Sequence, residues 1–68
     1  MKGTIAPVIV DRNSCNVIAE DGNEYNFTRW DLVLPLDFDW LQGGERVEFE
    51  IQDEGYGPFA VLVRYRNR

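Results

Sequence analysis

Apolar and polar positions alternate along this chain in short runs, and turn residues separate the runs. The clearest run is "ERVEFEI", which sets Val47, Phe49 and Ile51 on one side and Glu48 and Glu50 on the other. A period of two, filled with β-branched and aromatic residues, is the signature of a half-buried strand. "FAVLVRY" reads the same way, with Phe59, Val61, Val63 and Tyr65 inward, and "QDEGYGP" supplies the glycines and proline of the intervening turn. An earlier run, Thr4 to Val10, contains Pro7, which has no N–H to give a ladder and belongs at an edge or bulge. No segment keeps a helical period over three turns.

The stretch from Asn13 to Thr28, "NSCNVIAEDGNEYNFT", predicts a hairpin, and parity fixes its loop. A two-residue loop at Asp21-Gly22 would set Val17 opposite Asn26, mixing apolar and polar residues on both faces. A three-residue loop, Glu20 to Gly22, pairs Val17 with Tyr25 and Cys15 with Phe27. It also places Gly22 where a left-handed backbone is needed. Ser14, Asn16, Asn26 and Thr28 then share the outer face. The connection that follows, Trp30 to Gly44, is long and predicts one helical turn near Asp37 to Leu41.

Five strands on 68 residues are too few for a two-sheet sandwich. Closing them into a small barrel buries one face of every strand and removes most open edges. The expectation is a single domain, residues 1–68: an all-β, five-stranded antiparallel OB-like barrel. An SH3-like or S1-type barrel shares the alternation and differs in strand order. Composition adds that the chain is globular, with 44% hydrophobic residues and no linker or low-complexity tract. A lone cysteine, Cys15, cannot form an internal disulfide, and the absence of histidine argues against a zinc site, so no metal or cofactor is expected. The N-terminal apolar run is short and broken by Pro7, unlike a signal peptide, and no run reaches membrane-spanning length. A cytoplasmic protein without a membrane partner is the expectation.

At this point the chain resembles the cold-shock domain family. Gly44, Val47-Glu48-Phe49-Glu50, Gly57-Pro58, Ala60 and Val63 are similar to that family's fourth and fifth strands. Gly3 and Ile5 fit its first strand, and Asp21-Gly22 fits the turn of its first hairpin. The match runs from Lys2 to Val63, without a gap up to Leu32 and with a one-residue insertion in the next loop. The resemblance implies single-stranded RNA or DNA as the ligand, held by outward aromatic rings. Where the family has K-G-F-G-F-I this chain has Arg12-Asn13-Ser14-Cys15-Asn16-Val17. Where the family has V-F-V-H-F it has Tyr25-Asn26-Phe27-Thr28-Arg29. The inward positions stay apolar, and every outward ring of the two motifs is gone. Pro7 falls where the family's first strand has tryptophan. Phe38 keeps a loop aromatic and Arg12 keeps a cation.

Two functions follow, neither of them catalytic. With no histidine to act as a base and no distinguished carboxylate pair, an enzyme is not expected. The first function is nucleic-acid binding at Arg12, Ser14, Asn16, Asn26, Thr28, Arg29 and Phe38. It would be weak or altered, because each stacked base is worth about 1–3 kcal/mol and the net charge is −5. The second is protein binding or self-association through Trp30, Phe38 and Trp40. That loop holds more apolar surface than so small a core can absorb, unless it plugs the barrel. Asp31, Asp37 and Asp39 would rim the patch, and Arg64, Arg66 and Arg68 of a second copy would be one source of opposing charge. Asp37 with Asp39, and Asp53 with Glu54, read as solvated loop charges.

Overall fold

The computed structural model describes residues 1–7, 11–55 and 57–66. Its strands are β1 (Lys2–Ile5), β2 (Ser14–Ala19), β3 (Glu24–Thr28), β4 (Arg46–Asp53) and β5 (Pro58–Tyr65), with 3₁₀ turns at Arg29–Asp31 and Phe38–Trp40. The strands close into one barrel in the order β1-β2-β3-β5-β4, with β4 returning to β1. The expectation of a purely antiparallel barrel is corrected at one seam. β3 and β5 run parallel, bridged at Asn26 and Phe59, and a second parallel bridge joins Leu32 to Val63. The long connection after β3 returns the chain to the start of β4, so β5 comes up beside β3 in the same sense. Of the first run, β1 occupies Lys2–Ile5, and Val8 to Val10 lie outside the described residues.

The β2–β3 hairpin has the register that parity requires. Cys15 pairs with Phe27, Val17 with Tyr25, Asn16 with Asn26 and Ser14 with Thr28. Its loop is closed by the Ala19 N–H donating to the Asn23 carbonyl at 2.8 Å, and Gly22 has φ +91°, where a Cβ would be strained. β1 lies so close to β2 that a Cβ on Gly3 would sit 2.5 Å from the Ile18 carbonyl oxygen. The inward residues Ile5, Cys15, Val17, Phe27, Val47 and Phe49 are buried, and Tyr25 packs a tilted ring on Phe49 at 5.9 Å.

β5 departs from its expected phase. Ala60 and Val63 are buried, although three residues apart, whereas Phe59 and Val61 face outward. Between the pairs Glu48–Arg64 and Glu50–Val61, β5 carries one residue more than β4. The extra residue is at Leu62, whose φ of +52° lies in the left-handed region. A bulge inverts the parity of everything before it, so Val63 keeps its expected face and Phe59 and Val61 lose theirs. Ile51, expected inward, is 39% exposed. It lies beyond the last residue of β4 that β1 covers, where Met1 and Phe49 exchange backbone bonds, at the end of the barrel.

Candidate binding surfaces

The outer face of β2 and β3 carries the residues expected there, and they are bonded within the protein, Asn16 to Asn26 and the others to neighbouring groups. The Asn26 side-chain amide donates to the Asn16 Oδ1 at 3.0 Å and to the Cys15 carbonyl at 3.2 Å. Thr28 serves the next turn. Its hydroxyl accepts from the Trp30 N–H and donates to Asp31 Oδ2, which also accepts from the Thr28 N–H at 2.8 Å. This reciprocal cap fixes how the chain enters the first 3₁₀ turn. Ser14 begins β2 with its N–H on Asp11 Oδ1, and Asn13 donates to the same oxygen at 2.7 Å. These donors, Asn13 first, hold the Asp11 carboxyl below its ordinary range against a smaller opposing effect of desolvation.

The bulge at Leu62 adds residues to this face that sequence reasoning missed. Asn16, Asn26, Phe59 and Gln52 are successive cross-strand partners, so they form one row across β2, β3, β5 and β4. Phe59 is the ring of that row and is half-buried. No turn signal in the sequence marks Leu62, and alternation alone assigns Phe59 to the core. Glu24 ends the row of β3, and Glu50 is paired with Arg64 at 3.2 Å.

Arg29 and Phe38, both candidates for contacting bases, are committed to the protein itself. Phe38 is corrected from a surface ring to a core residue. It is 6% exposed and meets Phe27 edge-on, with ring centroids 6.5 Å apart. The Arg29 guanidinium lies 4.9 Å from the Phe38 ring centre. It donates to the Asn13 Oδ1, to the Arg12 carbonyl at 2.8 Å and to Asp39 Oδ1 at 3.1 Å. One side chain thus ties the start of β2 to both 3₁₀ turns. The Arg12 side chain is exposed.

The connection divides its apolar residues between two tasks. Leu36 and Phe38 enter the core, and Leu32 and Leu41 pack partly against it. Trp30 and Trp40 remain 74% and 79% exposed, and Leu34, ahead of a cis Leu34–Pro35 bond, is 85% exposed. Each indole is one residue along the chain from a member of the Arg29–Asp39 ion pair. The second turn is capped as well, by Asp37 Oδ1 accepting from the Asp39 N–H at 3.0 Å. The Val33 N–H donates to the Val63 carbonyl at 2.8 Å, which seats the segment carrying Leu34 beside the exposed Leu62 of β5.

Among the described residues there is no pocket, no cluster of three or more metal-ligating side chains, and no helix long and apolar enough to cross a membrane. Cys15 is buried, and desolvation pushes its thiol up. No family model, no curated protein and no solved structure matches the chain.

Proposed function

We propose that this chain is a non-enzymatic binding module, an OB-like and cold-shock-like barrel whose working surface has moved from the sheet face to the β3–β4 connection, and that its partner is a protein. One observation carries the proposal. Two tryptophans, 74% and 79% exposed, stand on short turns that an ion pair and two caps hold in place. Tryptophan is among the residues enriched in interface hot spots, and a ring presented on a fixed backbone loses little entropy on binding. Exposed apolar surface, where it is contiguous, marks a contact site on a soluble protein.

Nucleic acid is the second reading, favoured by the strand order, by the row of amides with Phe59, and by the exposed Arg12. Asn and Gln side chains read base edges, and one ring supports one base. The net charge of −5 and the internal commitment of Arg29 weaken it, because phosphate contacts supply a large share of the affinity in such complexes. The single buried thiol of Cys15 suits the reducing cytoplasm, where we place the protein.

Site-directed photo-crosslinking separates the two readings. A benzophenone side chain replaces Trp40 in one variant and Asn26 in another, and both are irradiated in cells. The protein reading expects position 40 to yield protease-sensitive, nuclease-resistant adducts. Nuclease-sensitive adducts at position 26, with none at position 40, would reverse it.

A further inference from the structure

The protein-binding reading above leaves the partner's chemistry open, and the charge around the two indoles narrows it. From Trp30 to Gly44 the chain contains Asp31, Asp37 and Asp39 and no lysine or arginine, and Arg29, just before it, is paired with Asp39. Beyond it, Arg46 is the only cation before Gly55, against Glu45, Glu48, Glu50, Asp53 and Glu54. Asp37 and Asp39 are exposed, and each has one carboxylate oxygen without a hydrogen-bond partner among the described residues. The phenol of Tyr65, at the far end of β5, is pushed up first by desolvation and then by the carboxylates of Glu45 and Asp37, so these acids lie around one region.

A second copy of this chain would bring the exposed Lys2, Arg12 and Arg46 but also its own net charge of −5, and its other described cations are engaged. The Arg64 guanidinium is held by the Leu62 carbonyl and Glu50, that of Arg66 by the Gly3 carbonyl, and that of Arg29 by three groups of its own chain. Arg68 lies outside the described residues. Phosphate-bearing partners meet a net charge of −5. The face of an indole is electron-rich and attracts cations, more strongly than a phenyl ring does. The molecule already uses that chemistry internally, with Arg29 over Phe38. We infer that the partner is a cationic polypeptide segment, which lays arginine or lysine side chains on the exposed faces of Trp30 and Trp40 and against the carboxylates of Asp37 and Asp39.

Tryptophan fluorescence of the whole chain, titrated with a capped peptide of alternating arginine and glycine, tests this inference. The matched glutamate–glycine peptide, an uncharged tyrosine–serine peptide and oligo-dT serve as comparisons. The arginine peptide should perturb the indoles saturably and bind more weakly as salt is raised. Trp30→Ala and Trp40→Ala should each weaken it by about two- to fivefold, the range of an exposed cation–π contact. Asp37→Asn, which keeps the capping oxygen, should weaken it as well. Circular dichroism checks that each variant is folded. Equal binding of the glutamate peptide would overturn the inference. So would arginine-peptide binding that ignores both tryptophan substitutions, since attraction to net charge would then be the whole effect. If the tyrosine–serine peptide binds through the indoles and the arginine peptide does not, the protein-binding reading stands and the cationic partner falls. If oligo-dT alone binds through the indoles, both fall.

Discussion

Placing rings on the outer sheet face should strengthen any binding of single-stranded nucleic acid there. Asn16 and Asn26 are directly opposite each other on β2 and β3, so Asn16→Phe with Asn26→Phe places two rings side by side on one face. Each stacked base contributes about 1–3 kcal/mol, so two rings are worth about 2–6 kcal/mol. At 1.4 kcal/mol per decade, that is roughly 30-fold to 10⁴-fold in affinity. The substitution also removes two hydrogen bonds made by the Asn26 amide, to Asn16 and to the Cys15 carbonyl. At about 0.5–1.5 kcal/mol each, their loss lowers stability by about 1–3 kcal/mol. A 68-residue domain has about 3–10 kcal/mol in total at 0.05–0.15 kcal/mol per residue, so the variant should stay folded with a lower melting temperature. Thr28 is left alone because its hydroxyl caps the first 3₁₀ turn. Fluorescence anisotropy with labelled oligo-dT reads the outcome. The native chain should bind more weakly than about 100 μM, the weak end of non-specific binding, and the double variant should gain at least the lower of the two factors. A nanomolar native chain would refute the reasoning. So would a folded double variant that gains nothing, because this face would then not be open to a base.

Three further outcomes test the fold. Phe49→Ala removes a fully buried ring and its contact with Tyr25, so urea denaturation should show a loss of about 3–5 kcal/mol; a nearly unchanged midpoint would contradict the assigned register of β4. Leu62→Gly should not destabilise, because relief of about 1–2 kcal/mol of left-handed strain offsets or exceeds a glycine cost of about 0.5–1 kcal/mol. A clear loss by the same assay would place Leu62 in extended backbone and remove the bulge. The carboxyl of Asp11 titrates below its unfolded value, so its contribution to stability is present above a pH of about 3.9 and is lost as pH falls through the lower folded value. Carbon-detected NMR titration should show that depressed midpoint, and Asp11→Asn should shrink the acid-induced loss; an ordinary midpoint would count against the hydrogen bonds from Asn13 and Ser14.

How much of this was legible in the sequence depends on how local each determinant is. The β2–β3 hairpin was readable because side-chain parity and the need for a glycine at position 22 agree on one loop length. The turn at Phe38–Trp40 was readable in outline, within the expected Asp37–Leu41. The inward placement of Phe59 and Val61 failed at Leu62, where a residue with no turn preference adopts a left-handed backbone that only the closing barrel imposes. The parallel seam between β3 and β5 is set by tertiary closure, which alternation cannot express. Among the candidate site residues, the outer set on β2 and β3 was placed correctly. The division of labour within the connection was not: Phe38 and the two tryptophans are chemically alike, and only the ion pair between Arg29 and Asp39 and the edge contact with Phe27 distinguish the ring that goes inside.

The account stands on the display of both indoles by a connection whose Leu36 and Phe38 are buried, and acrylamide quenching measures that display. Trp30→Phe and Trp40→Phe leave one indole each, and sedimentation fixes a concentration at which the chain is monomeric. Both remaining indoles should then be quenched nearly as readily as free N-acetyltryptophanamide, with emission at the long wavelengths of a hydrated ring. Strong protection of either indole in that monomer would contradict the account, because the connection would be a plug over the barrel and not a surface offered to a partner.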